Sequence, residues 1–201
     1  IEKGSTEDYV LYARWTPNSY SVKFNGNGAT SGSMTNQSFT YDVAQSLNAN
    51  VFRKSYTVTL NYNGNGSYNS TETANATFNG WATSADGSKI YDNQESVLNL
   101  TASNGTVYEL YANWTLGGIS LPKPTYEGFV FAGWYTDAVS GELVGNGNDS
   151  YVPTESITLY AHWTPINYSV KFNGNGATSG SMDDQDFTYG VAQNLSANQF
   201  K

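Results

Sequence analysis

The chain of 201 residues has no cysteine, a single histidine and few charged residues. The absence of cysteine excludes disulfide bonds and thiolate metal sites as supports for small folded units. Apolar runs are much shorter than the roughly 18 residues that cross a membrane. The nine Lys and Arg residues are scattered, in a chain of formal net charge −8. Because phosphate binding depends on clustered cations, we do not expect nucleic acid as a partner.

Aromatic and small polar residues dominate instead. Sixteen Tyr, nine Phe and five Trp offer enough apolar surface to offset the entropy lost when the chain becomes ordered. Much of the remainder is Asn, Gly, Ser and Thr, which favours pleated strands and turns. The composition therefore predicts a mainly β protein, borderline α+β, in which only residues 43–50 and 96–103 have a Val and Leu spacing that fits a single helical turn.

A long internal repeat organises the chain. The segment YSVKFNGNGATSGSM at residues 20–34 recurs unchanged at residues 168–182, an offset of 148. The same offset relates LYARWTP at residues 11–17 to LYAHWTP at residues 159–165. Self-similarity at a fixed period is typical of repeat architectures. Because the sequence begins and ends inside a repeat, we expect it to be an excerpt from a longer polypeptide.

Two short motifs recur within the long period. Leu-Tyr-Ala-x-Trp ends each unit, at residues 11–15, 110–114 and 159–163. Phe-x-Gly-Trp precedes the last two, at residues 78–81 and 131–134. These motifs predict a division into the end of one repeat, a long unit, a short unit and the start of another long unit. The corresponding ranges are 1–15, 16–115, 116–163 and 164–201.

The long unit contains two similar openings, YSVKFNGNG from Tyr20 and YTVTLNYNGNG from Tyr56. We therefore predict that it divides further into a hairpin at 16–54 and a half-unit at 55–115. Strict alternation of apolar and polar residues in both openings predicts half-buried strands. The Asn-Gly pairs that follow accept the positive φ angles of tight hairpin turns. These pairs are Asn25-Gly26, Asn27-Gly28, Asn63-Gly64 and Asn65-Gly66.

The ordered motifs resemble a known family. Tyr-x-Val-x-Phe, an Asn-Gly turn, Phe-Thr-Tyr, Gly-Phe-x-Phe-x-Gly-Trp at residues 128–134 and Leu-Tyr-Ala-x-Trp together resemble the Listeria–Bacteroides repeat, which is similar to the B-repeat of internalins. The resemblance covers nearly the whole chain. It implies compact β-grasp-like units in tandem, between an adhesive N-terminal region and a cell-wall anchor on the bacterial surface. The short unit departs from the pattern, since Leu-Pro-Lys-Pro from Leu121 replaces the Tyr-x-Val-x-Phe strand. The first half of the long unit also departs, since no Gly-Trp follows Phe52 there.

Candidate catalytic and metal sites are sparse. His162 is third in its Leu-Tyr-Ala-x-Trp motif, where the other copies have Arg14 and Asn113. A position that varies in this way is expected to be a solvated strand residue rather than a general base or a metal ligand. We therefore predict no catalytic residue, no metal ligand and no cofactor.

An acidic cluster in GELVGNGNDS is the strongest candidate for calcium. It combines the carboxylates of Glu142 and Asp149 with the amides of Asn146 and Asn148. Oxygen ligands of this kind suit calcium, but the regular carboxylate spacing of a calcium loop is missing. The sequence favours a plain Gly-Asn turn.

The tryptophans are expected to be core residues, because a large aromatic side chain at a repeat-defining position buries much apolar surface. The predicted structural core comprises Trp15, Tyr20, Val22, Phe24, Phe78, Trp81, Trp114, Phe131, Trp134 and Trp163. An alternative is that exposed tyrosines such as Tyr68, Tyr91 and Tyr151 contact host glycans or glycoproteins.

Repetition without concentrated chemistry favours a non-catalytic stalk of a bacterial surface adhesin over that glycan-binding alternative. The short unit has about 48 residues, and a single core of that size supplies only a few kcal/mol. It should therefore pack against neighbouring repeats of the same chain. This dependence predicts an elongated rod.

Overall fold

A computed structural model describes residues 3–4, 6, 8–64 and 69–201. The predicted turn at Asn65-Gly66 and the candidate Tyr68 lie outside these described residues. The first eight strands are β1 (Ser19–Asn25), β2 (Gln37–Thr40), β3 (Gln45–Ser46), β4 (Ser55–Asn61), β5 (Ser70–Asn75), β6 (Thr77–Ala82), β7 (Ser96–Val97) and β8 (Val107–Thr115). Seven further strands follow, namely β9 (Ile119–Ser120), β10 (Phe129–Tyr135), β11 (Leu143–Gly145), β12 (Ser150–Tyr151), β13 (Ile157–Pro165), β14 (Asn167–Val170) and β15 (Gln185–Thr188).

The described residues contain no helix, so the protein is mainly β. The two segments that were expected to form helical turns pair with each other instead, β3 with β7. Leu47 and Val97 beside these strands are buried, and the Leu47 amide donates to the carbonyl oxygen of Glu95. Burial of these side chains against the same core outweighs the weak local preference for a helical turn.

The chain forms two compact units that alternate along the sequence. Among the described residues, the first unit comprises Ile1–Lys54 and Thr77–Thr115, and the second comprises Ser55–Ala76 and Leu116–Lys201. One change of unit lies between Lys54 and Ser55. The half-unit 55–115 does not stay together, however, because its first hairpin joins the second unit and its remainder returns to the first.

A four-stranded mixed sheet forms the centre of the first unit, in the order β2-β1-β8-β6. Strand β1 is antiparallel to β2 and parallel to β8, with Ser21 opposite Val107 and Asn25 opposite Tyr111. Strand β6 completes the sheet antiparallel to β8. One face buries a core of Tyr20, Val22, Phe24, Phe39, Leu47, Trp81, Val97, Leu110 and Ala112.

The second unit repeats this arrangement in the order β11-β10-β13-β4-β5. Strand β4 is parallel to β13, with Val58 opposite Ile157 and Leu60 opposite Leu159. The hairpin β4–β5 thus supplies the opening strand that the short unit lacks in sequence. Its core comprises Val58, Leu60, Ala74, Ile119, Leu121, Trp134, Leu159 and Ala161. Two small sheets, β12-β9 and β14-β15, complete the unit.

The glycine of Phe-x-Gly-Trp is required by the backbone. The register shifts between Phe78 and Gly80 in β6, and Gly80 has φ +139°. A Cβ atom at Gly80 would lie 2.3 Å from the carbonyl oxygen of Tyr91, closer than any side chain can approach. Gly133, with φ +133°, occupies the same position in β10. The motif therefore marks a bulge at which glycine permits a positive φ and a close backbone approach.

Candidate functional site

In both units, the Leu-Tyr-Ala-x-Trp strand joins the opening hairpin to the Phe-x-Gly-Trp strand. The tryptophan that ends the motif stabilises this junction through a hydrogen bond. The indole Nε1 of Trp114 donates to the carbonyl oxygen of Gly26 at 2.9 Å, and that of Trp163 donates to Tyr62 at 3.0 Å. Both accepting carbonyls lie just after the opening strand. The tryptophan that ends Leu-Tyr-Ala-x-Trp therefore binds the segment that follows the opening strand.

An asparagine in each turn makes a second connection. The side-chain amide of Asn27 donates to the carbonyl oxygens of Ala85 at 2.7 Å and Ala112 at 2.9 Å. Asn63 donates in the same way to Ala138 at 2.9 Å. These residues have φ angles of 49° and 50°, the left-handed region that asparagine tolerates.

The Asn-Gly segments differ from the predicted tight hairpin turns, because residues 26–36 separate β1 from β2. A two-residue turn would leave no room for the side chain of Asn27 to reach the loop after β6. The segment therefore serves as a junction between distant parts of the first unit rather than as a simple reversal of the chain.

The third position of the motif is also bonded. Asn113 donates to the carbonyl oxygen of Gly87 at 3.0 Å, and Nε2 of His162 lies 2.8 Å from the carbonyl oxygen of Asp137. The imidazole also stacks on the Tyr135 ring, with centroids 3.9 Å apart. Both residues are half-buried, which corrects the expectation of a solvated position. The polar side chain is used to hold the loop that follows the Phe-x-Gly-Trp strand.

We expect His162→Ala to lower the free energy of unfolding by about 0.5–1.5 kcal/mol, the usual contribution of one hydrogen bond. His162→Asn should lose less, because Asn113 makes the corresponding contact in the first unit. Urea denaturation of the three proteins would measure this. Equal stability of the wild type and both variants would show that the contact contributes nothing.

The carboxylate of Asp137 orders the same loop. Its Oδ1 accepts hydrogen bonds from the backbone N–H of Val139 at 2.9 Å and of Ser140 at 3.2 Å. These bonds lower the pKa of the Asp137 carboxyl, with a smaller contribution from nearby His162. The carboxylate is thus committed to its own turn, and its backbone carbonyl holds the histidine.

Trp81 and Trp134 of the Phe-x-Gly-Trp motifs are both fully buried. The Nε1 of Trp134 donates to the carbonyl oxygen of Pro122 at 2.8 Å. The corresponding atom of Trp81 has no acceptor among the described residues. Leu-Pro-Lys-Pro of the short unit therefore has a structural role: it buries Leu121 and supplies the carbonyl that pairs with Trp134.

The remaining predicted core residues occupy several environments. Tyr20, Val22 and Phe24 are buried. Phe78 packs edge-on against Trp81 and Trp114, and Phe131 packs in the same way against Trp134 and Trp163. Phe78, Trp114, Phe131 and Trp163 are partly buried against the two cores.

Trp15 differs from the core position expected for it, since its side chain is 89% exposed. Residues 8–18 form no strand. In Trp114 and Trp163 the indole is covered by the turn of a paired hairpin and by the phenylalanine of Phe-x-Gly-Trp. Among the described residues, the indole of Trp15 has no such cover.

The other candidates have structural roles. Asp149 of the acidic cluster accepts hydrogen bonds from the backbone and side-chain nitrogens of Asn146, which makes its carboxylate part of a turn. Among the described residues, no three His, Cys, Asp or Glu side chains come together as metal ligands. Tyr91 and Tyr151 are partly buried against the two cores, and this burial raises the pKa of both hydroxyls. In the described part of the chain, no helix is long and apolar enough to span a membrane.

Comparisons with known proteins identify relatives of this chain in sequence. The chain is 26% identical over 210 aligned residues to a Gly-rich membrane protein of Evansella cellulosilytica, an alignment that covers 92% of this chain and 22% of that protein. It is 37% identical over 79 residues to Internalin H of Listeria monocytogenes, covering 37% of this chain and 14% of that one. The chain thus spans a small part of the curated relatives it matches. No solved structure matches it.

A family model also matches part of the chain. The Listeria-Bacteroides repeat domain matches residues 104–162, which run from just before β8 almost to the end of the last Leu-Tyr-Ala-x-Trp motif. The match therefore includes two closing strands and the Phe-x-Gly-Trp strand between them. Residues 104–162 thus match the Listeria–Bacteroides repeat, the family that the recurring motifs of the chain resemble.

Proposed function

We propose that this chain is a non-catalytic stalk region of a bacterial surface adhesin, located outside the cell in a protein anchored to the cell wall. The repeat family and the relatives named as an internalin and as membrane proteins support this location. The stalk would extend an adhesive region away from the cell. Its partners would be neighbouring repeats of the same chain.

The parallel pairing of opening and closing strands is the observation that favours this role. The β1–β8 pair runs from Ser21 opposite Val107 to Asn25 opposite Tyr111. The start of β1 and the end of β8 therefore lie at opposite ends of this ladder. Tension between those two ends loads the evenly spaced hydrogen bonds of the parallel pair together rather than one after another. Strands β4 and β13 have the same geometry. A spacer that carries load benefits from this arrangement.

We also propose that each unit is β-grasp-like and that the units form an elongated array. The sheet orders support the first part, because an opening hairpin places its first strand parallel to the closing strand in the sheet centre. In the first unit, the short strand β3 follows this hairpin in the chain and pairs with β7.

Small-angle X-ray scattering on residues 1–201 tests the elongated array. A compact globule of this length has a radius of gyration of about 16–17 Å by domain scaling. We expect a clearly larger value, with a scattering profile of an extended particle. A radius at or below the compact value would contradict a spacer built for length.

The alternative is a repeat that binds host glycans or glycoproteins directly. An aromatic cleft of about 470 Å³ in the second unit favours it, since Tyr126, Phe129 and Trp163 line this cleft together with Asn63 and His162. The rings of Tyr126 and Phe129 stack on each other, however, with centroids 4.5 Å apart. Saturable binding to a glycan panel that is lost in Tyr126→Ala would favour this alternative over the stalk.

A further inference from the structure

The two closing strands are followed by different elements. After Trp163 of β13 the chain enters the hairpin β14–β15, whose sequence repeats that of β1–β2. After Trp114 of β8 it continues through Leu-Gly-Gly into the short strand β9. The hairpin β14–β15 therefore opens a new repeat in sequence, yet it belongs to the compact second unit.

This hairpin contacts the rest of the second unit at Gly128. The backbone N–H of Ile166, just before β14, donates to the carbonyl oxygen of Gly128 at 2.8 Å, and the N–H of Tyr189, just after β15, donates to that of Ile166 at 2.9 Å. The ring of Tyr189 lies directly on Gly128, because a Cβ atom there would be 2.2 Å from two ring carbons. Gly128 also has φ +79°. Any other residue at this position would therefore strain the backbone and displace the ring.

A continuous row of aromatic rings leads from this contact towards the core. Tyr189 packs edge-on against Phe129, with centroids 5.6 Å apart, and Phe129 stacks on Tyr126 at 4.5 Å. Tyr126 packs edge-on against Trp163 at 5.4 Å. Trp163 in turn contacts Phe131, and both of these rings pack on the second core. Ring contacts therefore join the hairpin to the core of the unit.

The first unit lacks the outer part of this row. Alignment of the two Phe-x-Gly-Trp motifs in sequence places Thr73 and Ala76 at the positions of Tyr126 and Phe129. The inner contact, between the phenylalanine of Phe-x-Gly-Trp and the closing tryptophan, occurs in both units. The two outer rings thus accompany the closing strand that an opening hairpin follows.

We propose that residues 126–129, Tyr-Glu-Gly-Phe, form a joint between successive repeats, a surface on which the opening hairpin of the next repeat docks through Tyr189. A hairpin of two strands is only marginally stable by itself, so the surface on which it packs supplies its order. A docked hairpin fixes the direction in which the next repeat continues from β13. The joint deepens the stalk role proposed above, and it gives Tyr126 and Phe129 of the aromatic cleft a structural role.

Native-state hydrogen exchange on the 201-residue chain tests the joint. Gly128→Ala should raise the exchange rates of the Ile166 amide and of the amides in β14 and β15 about tenfold or more, because the added methyl group displaces the Tyr189 ring. Gly105→Ala is the matched control, since Gly105 has φ +74° and a Cβ atom there would meet nothing within 4 Å. It introduces comparable backbone strain without displacing a ring, and it should leave the exchange of the hairpin unchanged.

Variants of Tyr189 test the same contact from the side of the hairpin. Tyr189→Ser removes the ring and should raise the same exchange rates, whereas Tyr189→Phe keeps the ring and should resemble the wild type. In the Tyr189→Ser background, Gly128→Ala should add little further increase, because the ring that it displaces is already absent. The amides of β10 and β13 should keep their protection in Tyr189→Ser, since the second core is intact.

Two results would overturn the joint. Wild-type exchange of Ile166 and of the hairpin in both Gly128→Ala and Tyr189→Ser would show that the hairpin does not depend on this contact. A rise throughout β10 and β13 in Tyr189→Ser would make the ring part of the second core rather than of a joint. The radius of gyration tests the stalk role separately, so failure of the joint and failure of the stalk are distinguishable.

Discussion

Replacing Trp134 by alanine should lower the free energy of unfolding of the second unit by about 3–5 kcal/mol, the range for truncation of a buried tryptophan. Its side chain is fully buried and contacts the rings of Tyr62 and Phe131. The variant loses these contacts and leaves a cavity, and the carbonyl of Pro122 loses its donor. Equilibrium denaturation followed by circular dichroism would measure the loss.

Trp81 provides the matched control in the first unit. Trp81→Ala should cost a similar amount, because this side chain is equally buried and contacts Phe24, Phe52 and Phe78. Replacing each tryptophan by phenylalanine should distinguish the two sites by the loss in free energy of unfolding. Trp134→Phe breaks a hydrogen bond and Trp81→Phe breaks none, a difference of about 0.5–1.5 kcal/mol. Losses under about 1 kcal/mol in both alanine variants would mean that the tryptophans are not core residues.

Leu60→Ala should destabilise the second unit by about 2–5 kcal/mol and leave the first unit nearly unchanged. Leu60 is fully buried in the second core and lies opposite Leu159 in the parallel pair of β4 and β13. Hydrogen exchange of backbone amides would resolve the two units. Protection should fall in β10 and β13, and it should persist in β1 and β8.

Leu110→Ala is the matched variant, since Leu110 is equally buried in β8 opposite Phe24. It should reverse the pattern, with loss of protection in β1 and β6. The linear division of the sequence assigns Leu60 and Leu110 to one long unit and predicts that both variants expose the same amides. Identical exchange patterns would therefore contradict the alternating arrangement.

Several features of the fold follow directly from local sequence. Strict alternation in residues 20–24 and 56–60 predicted strands, and β1 and β4 lie there. Phe-x-Gly-Trp recurs at residues 78–81 and 131–134, and both glycines lie at bulges with a positive φ. These features depend on neighbours within a few residues, so a periodicity or a motif is sufficient to reveal them.

The membership of the β4–β5 hairpin in the second unit could not be predicted from local sequence in this way. Strand β4 pairs with β13 across most of a hundred residues, and no local pattern states which closing strand an opening hairpin selects. The available signal was a missing element, because the short unit lacks an opening strand whereas the long unit has two. The expectation from the sequence was that the short unit packs against a neighbouring repeat. The linear division kept 55–115 together and so missed the donor.

Side-chain roles at the turns were also missed, for a related reason. Asn27 and Asn63 were interpreted through their backbone preference, which the positive φ angles bear out. Their amides, however, reach carbonyls that are distant in sequence, at Ala85 and Ala138. The recurrence of asparagine at this position in every opening was the available signal, because a turn alone would accept glycine there.

The alternation of the two units has a consequence for proteolytic damage. The chain passes between them three times, after Lys54, after Ala76 and after Thr115. A protease that cuts after Lys54 leaves the other two passages intact, and β1 stays paired to β8 on the far fragment. A cut after Thr115 is tolerated similarly, because β13 stays paired to β4. A single nick at any one passage therefore leaves the two units connected, whereas a single nick in a linker between consecutive domains would release everything beyond it.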